Sequence, residues 1–122
     1  MLRNLFIVFV TLFILPVYAG SFDELTKNYE KVFLYLYTNE CSYCVKFNPI
    51  YEKLVKKYGK KCEFIKVDAN TEYGNSLMRA TNGFYVPNVV LINSSARSMG
   101  KIVPTCLLNS ACINDAVEKL VN

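Results

Sequence analysis

The chain has no histidine and no tryptophan among its 122 residues. Without imidazole there is no histidine acid–base catalysis, no Ser-His-Asp or Cys-His nucleophile system, no histidine-ligated zinc and no c-type haem attachment. Charge is scarce as well. Only 20% of residues are charged, and 14 basic against 10 acidic side chains leave a formal net charge of +4. So mild an excess implies no nucleic-acid partner. Glycine and proline number only 5 and 4, and no repeat, linker or low-complexity tract interrupts the pattern. What dominates is apolar: 52% hydrophobic residues exclude disorder for most of the chain. The length suits one domain.

The apolar residues are unevenly spread. Residues 5–19 (LFIVFVTLFILPVYA) carry no charge, follow Arg3 and the amino terminus, and end in Val17-Tyr18-Ala19 before Gly20. This is the pattern of a signal peptide over residues 1–19, followed by one domain over residues 20–122. The alternative is an uncleaved membrane anchor, but a run interrupted by Pro16 is short of the ~20 residues a span needs. The expected location is therefore exported, in the periplasm or another extracytoplasmic space. In an oxidising compartment cysteines pair, and Cys-x-x-Cys pairs can be redox-active. The five here are Cys41, Cys44, Cys62, Cys106 and Cys112.

Ser21-Phe22-Asp23-Glu24 has capping-box spacing and predicts a helix from Ser21 to near Lys31. Val32 to Thr38 (VFLYLYT) is β-branched and aromatic, apolar almost throughout and too short for a helix. It predicts a strand buried on both faces. After Cys41-Ser42-Tyr43-Cys44, the residues Phe47, Ile50, Tyr51, Leu54, Val55 and Tyr58 recur at helical spacing up to Gly59. Lys53, Lys56 and Lys57 suit the end of that helix, and Lys56, Lys57, Lys60 and Lys61 read as its solvated end. A strand over Cys62 to Asp68, a helix over Thr71 to Thr81, strands over Val89 to Asn93 and Gly100 to Thr105, and a helix over Asn109 to Val121 complete the order α-β-α-β-α-β-β-α. The first two strands, joined through a helix, are parallel with a right-handed crossover. The last two form an antiparallel hairpin.

The cysteine pair sits after a buried strand and at the start of an amphipathic helix. There the free N–H groups and the helix dipole stabilise a thiolate, which predicts for Cys41 a pKa below ~8.5 and a partly exposed position. Cys41 is the candidate nucleophile and Cys44 the resolving thiol. Pro49 lies inside the helix, where its missing N–H breaks the ladder. Val86-Pro87 precedes an apolar strand that runs beside the first.

On these residues the chain resembles the thioredoxin superfamily: C-S-Y-C at 41–44, Pro49, V-D-A-N at 67–70 and Y-V-P-N-V-V-L-I at 85–92. The resemblance covers nearly all of residues 21–121. It implies an α/β fold, a minimal four-stranded mixed sheet with helices on both faces, because after the expected leader only about a dozen residues precede Val32, too few for the family's first strand. It implies a thiol–disulfide oxidoreductase that needs no cofactor and no metal. Cys41 and Cys44 are then catalytic, and Val86, Pro87 and Tyr43 are substrate-binding, with Pro87 cis and the backbone of Val86 pairing with substrate. The implied partners are cysteine-containing exported proteins and a membrane or soluble redox partner, and a monomer is expected. The departures are specific. The family's buried acid falls at Tyr35 and its lysine near Phe64, which leaves Glu40, Glu63 or water as proton acceptor. In the implied sheet the fourth strand returns toward Cys41. Cys106 then reaches that edge and pairs with Cys112 in a structural disulfide; a sharper reading lets that bond touch substrate or exchange with Cys41. Cys62 reads as a small buried apolar residue. The rival functions are a redox-inactive peptide-binding module and a copper- or zinc-handling module built on the thiols.

Overall fold

A computed structural model gives the structure of the protein over residues 21–122; the leader expected over residues 1–19 lies outside the described residues. The elements run α1 (Ser21–Asn28), β1 (Lys31–Tyr37), α2 (Ser42–Tyr58), β2 (Glu63–Asp68), α3 (Glu72–Ala80), β3 (Asn88–Asn93), β4 (Ser98–Ile102), α4 (Pro104–Leu107) and α5 (Ser110–Val121). β1 pairs parallel with β2, from Val32↔Glu63 to Tyr37↔Asp68, and antiparallel with β3, from Lys31↔Asn93 to Leu36↔Asn88. β3 pairs antiparallel with β4. The sheet order is β2-β1-β3-β4, the four-stranded mixed sheet expected.

Alternation along β1 divides the core. Val32, Leu34 and Leu36 pack with Leu25, Leu77, Val90 and Ile92 under α1 and α3. Phe33 and Tyr35 point the other way, into an aromatic layer with Phe47 and Tyr51 of α2, closed by Leu107, Ile113 and Val117. Phe33 stacks on Phe64 at 4.9 Å, and Tyr35 meets Phe47 edge-on at 5.0 Å between centroids. Burying each such ring contributes roughly 2–3 kcal/mol.

Two boundaries differ from the sequence reading. α1 stops at Asn28 and β1 begins at Lys31, because Tyr29 and Glu30 bridge to the β3–β4 turn: Ser94 Oγ donates to the Tyr29 carbonyl at 2.9 Å and Ser94 N–H to the Glu30 carbonyl at 2.7 Å. β4 starts at Ser98 and ends at Ile102, not Gly100 to Thr105. Pro104 has no N–H to give a ladder. It opens the short helix α4 at its first position, so Cys106 lies in that helix rather than at a strand end.

α3 is set close against the sheet. Its cap Thr71 accepts the Gly74 N–H at 2.9 Å through Oγ1 and donates to the Asp68 carbonyl at 2.7 Å. A Cβ on Gly74 would collide with the Asp68 carbonyl oxygen and lie 2.9 Å from Ala69 Cα. Since these are backbone atoms, Gly74→Ala should cost about 1–3 kcal/mol by overpacking. Urea denaturation reads this as a lowered midpoint with unchanged slope; an unshifted midpoint would contradict the close approach.

Candidate active site

The chain leaves β1 at Tyr37 and turns at once, with the Cys41 N–H donating to the Thr38 carbonyl at 3.4 Å. Cys41 caps α2. Its backbone is extended, and its Sγ accepts the Cys44 N–H at 3.0 Å, the role a hydroxyl oxygen plays in an ordinary cap. The positive end of a 17-residue helix thus faces this sulfur, and no acidic residue occupies the first turn. Cys41 is half-buried, while Cys44 is only 2% exposed. The two are joined as a disulfide, with Cα atoms 5.2 Å apart.

The register places the second wall. Asn88 opposes Leu36 near the end of β1, so the residues just before Asn88 arrive beside Cys41. The Val86–Pro87 bond is cis. Asn88 is buried and donates through Nδ2 to Thr81 Oγ1 at 3.1 Å, tying the start of β3 to the end of α3. An open groove of about 640 Å³ results, lined by Cys41, Tyr43, Val86 and Pro87, with Glu40 and Pro104 at its sides. Tyr43 is exposed. Among the described residues, neither the N–H nor the C=O of Val86 has a backbone partner. Four of the five proposed dithiol and substrate-binding residues, Cys41, Tyr43, Val86 and Pro87, line this groove, and Cys44 lies behind Cys41.

Beneath the pair stands Tyr35, fully buried. Its hydroxyl donates to Asn48 Oδ1 at 2.8 Å and lies 3.3 Å from the Cys44 carbonyl oxygen. Burial, then the neighbouring phenols of Tyr51 and Tyr37, push its ionisation far above the ordinary range, so it is neutral at every physiological pH. Burial likewise moves Tyr51 to about 12. Lys66 lies over the Tyr35, Tyr37 and Tyr51 rings at 5.6, 5.0 and 5.8 Å. Of the suggested carboxylates, Glu40 lines the groove. Glu63 does not approach it: it opposes Val32 at the opposite end of β1 and borders a separate cavity with Lys31 and Cys62. Asn48 and Pro104 were not anticipated. Asn48 carried a faint signal, a polar residue one turn after Cys44 at the edge of the apolar stripe.

Cys106 and Cys112 are joined, with Cα atoms 5.3 Å apart. Closing so small a ring stabilises by about 2 kcal/mol in the chain-entropy model. The four sulfurs are thus two separate pairs, not one tetrahedral set, and among the described residues no group of three or more His, Cys, Asp or Glu side chains is placed to hold a metal ion. Cys62 is a buried free thiol.

This fold, with a cysteine pair capping its second helix beside a cis-proline, is a thioredoxin-type domain. The thioredoxin family pattern matches residues 14–105, and the chain belongs to that family. No curated protein matches the sequence. The structure is similar to oxidised mitochondrial thioredoxin 3 of Saccharomyces cerevisiae (TM-score 0.68, 22% identity, covering 83% of this chain and 89% of that one). It is also similar to oxidised thioredoxin of Plasmodium falciparum (0.66, 22%, 84% and 92%) and to the thioredoxin of Malassezia sympodialis (0.67, 17%, 84% and 90%). At such identities the likeness is one of fold.

Two outcomes follow from the groups under the pair. Tyr35→Phe removes only the hydroxyl, frees Asn48 to water, and should cost about 1 kcal/mol in urea denaturation; no change would mean that the bond to Asn48 contributes nothing net. Burial pushes the Cys62 thiol up to about 11 from 9.0. With the folded value above the unfolded one, its contribution is intact below about 9 and is lost as pH rises toward 11. Stability should fall across that window, and less steeply in Cys62→Ala. Iodoacetamide at neutral pH should leave Cys62 unlabelled in the native chain.

Proposed function

We propose that the protein is a thiol–disulfide oxidoreductase acting on cysteine-containing exported proteins, itself exported after loss of residues 1–19 and recharged by a membrane or soluble redox partner. The observation that supports this most directly is the position of Cys41. Its sulfur sits at the helix start, hydrogen-bonded to the Cys44 N–H and open to a groove whose other wall is Val86-Pro87.

In the reducing direction the Cys41 thiolate attacks one sulfur of a substrate disulfide. That S–S bond breaks, and the departing sulfur keeps the electron pair and takes a proton. Cys44, held one turn deeper, then attacks Cys41 Sγ, loses its proton, and expels the second substrate thiolate, which is protonated in turn. Two electrons have passed to substrate and the Cys41–Cys44 bond has formed. The reverse sequence oxidises a substrate dithiol. An extended substrate segment can pair with the free N–H and C=O of Val86 while Tyr43 and Pro87 cover its side chains. Glu40 is the carboxylate at the groove available to exchange protons with water.

With dithiothreitol keeping Cys41 and Cys44 in the dithiol form, the chain should catalyse insulin reduction, and Cys44→Ala should accumulate mixed disulfides at Cys41. If neither turnover nor trapped partner is seen, the groove serves docking without redox chemistry; Cys41→Ser would then leave partner binding intact. Export is read by amino-terminal sequencing of the exported protein. A start at Gly20 is expected, and a start at Met1 in the membrane fraction would make the leader an anchor.

A further inference from the structure

The Cys106–Cys112 bond has two properties that a plain staple does not need. It is not the sole anchor of this segment. Leu107 on one side and Ile113 on the other are fully buried, and Asn109 Oδ1 accepts the Cys112 N–H at 3.0 Å, so α5 is held and capped by groups other than the sulfurs. It is also asymmetric in access. Cys106 is 9% exposed, whereas Cys112 is exposed. This repeats the arrangement of the first pair, in which half-buried Cys41 faces the groove and Cys44 is withdrawn. The segment further adjoins the groove, since Pro104, two residues before Cys106, lines it together with Cys41. A molecule seated at Cys41 therefore lies beside α4.

We propose that Cys106–Cys112 is a second thiol–disulfide exchange site, opened at Cys112 by an external dithiol, so that the chain carries two exchangeable disulfides. A thiolate of the dithiol attacks Cys112 Sγ. The Cys106–Cys112 bond breaks, and Cys106 keeps the electron pair and takes a proton in its buried position. The second thiol of the dithiol then attacks the mixed disulfide, forms the donor's own disulfide, loses its proton and releases Cys112, which is protonated. Two electrons and two protons enter the chain for each dithiol oxidised. This step does not require the activity proposed for Cys41, so the two can fail separately.

The test uses the full oxidised chain in a dithiothreitol series under native conditions, quenched with iodoacetamide and mapped by trypsin. The two pairs fall on separate peptides, residues 32–46 and 102–119. Cys106 and Cys112 should become alkylated at dithiol concentrations within about tenfold of those that open Cys41–Cys44. The folded chain should consume two equivalents of dithiol, and Cys106→Ala/Cys112→Ala only one. A parallel series on Cys41→Ser/Cys44→Ser shows whether the second site opens by itself. With glutathione in place of the dithiol, the trapped adduct should sit on Cys112. If the bond opens only in denaturant, or if the adduct sits on Cys106, the proposal is overturned and the bond is a staple. Opening of Cys106–Cys112 with no turnover at Cys41 would sink the proposed function and leave this one standing.

Discussion

Val32 to Leu36 of β1 are fully shielded from water, and hydrogen bonds along both edges tie the strand to β2 and β3. A strand buried on both faces and both edges has one register open to it, because a slip of one residue would drive Phe33 and Tyr35 into the aliphatic layer and Leu34 into the aromatic one. That register determines where the chain emerges. It brings Asn88 opposite Leu36, delivers Val86-Pro87 to the same end, and leaves three residues between Tyr37 and Cys41. The Cys41 sulfur is therefore placed by a strand shielded on both faces, although Cys41 itself lies at a surface turn.

The interior under the pair is neutral. Where the family resemblance leads one to expect a carboxylate, Tyr35 contributes a phenol that stays protonated and spends its hydrogen on Asn48. A buried carboxylate would oppose a thiolate forming above it and would bring a titration of its own. A phenol does neither. The helix end and Glu40 in the groove both act on Cys41 from positions open to solvent and hence screened by salt.

Much of this was legible in the sequence for local reasons. VFLYLYT has one reading, since its composition, length and lack of period all point to a central strand. The helix over Ser42–Tyr58 is written in six apolar residues at helical spacing. Cys41, Cys44, Val86 and Pro87 stand out because the chain itself marks them, as a cysteine pair between strand and helix and as a proline before an apolar strand. What was missed depends on contacts across elements. Asn48 matters only because Tyr35 lies beneath it, and that pairing joins residues 13 apart in different elements. Glu63 looked available until the parallel register carried it to the far end of β1. Pro104 falls inside the strand that the apolar pattern predicts, although its missing N–H argues for a break; what the sequence does not show is that the helix begun there borders the groove.

A four-stranded sheet must also defend its edges. Among the described residues nothing pairs with the outer side of β2, where a further strand could add. β2 carries Glu63, Lys66 and Asp68, charges at its ends and middle that oppose pairing with another chain. Lys66 does so while its stem and ammonium cover the Tyr35, Tyr37 and Tyr51 rings, closing the aromatic layer on the side where a covering strand is lacking. One exposed side chain thus guards the edge and roofs the core that positions Tyr35. The same reasoning applies at the other margin, where β4 (SMGKI) is exposed almost throughout, carries Lys101, and is cut short by Pro104. There the break that ends the strand is also what brings the chain to the groove, so the protection of this edge and one side of the groove share Pro104.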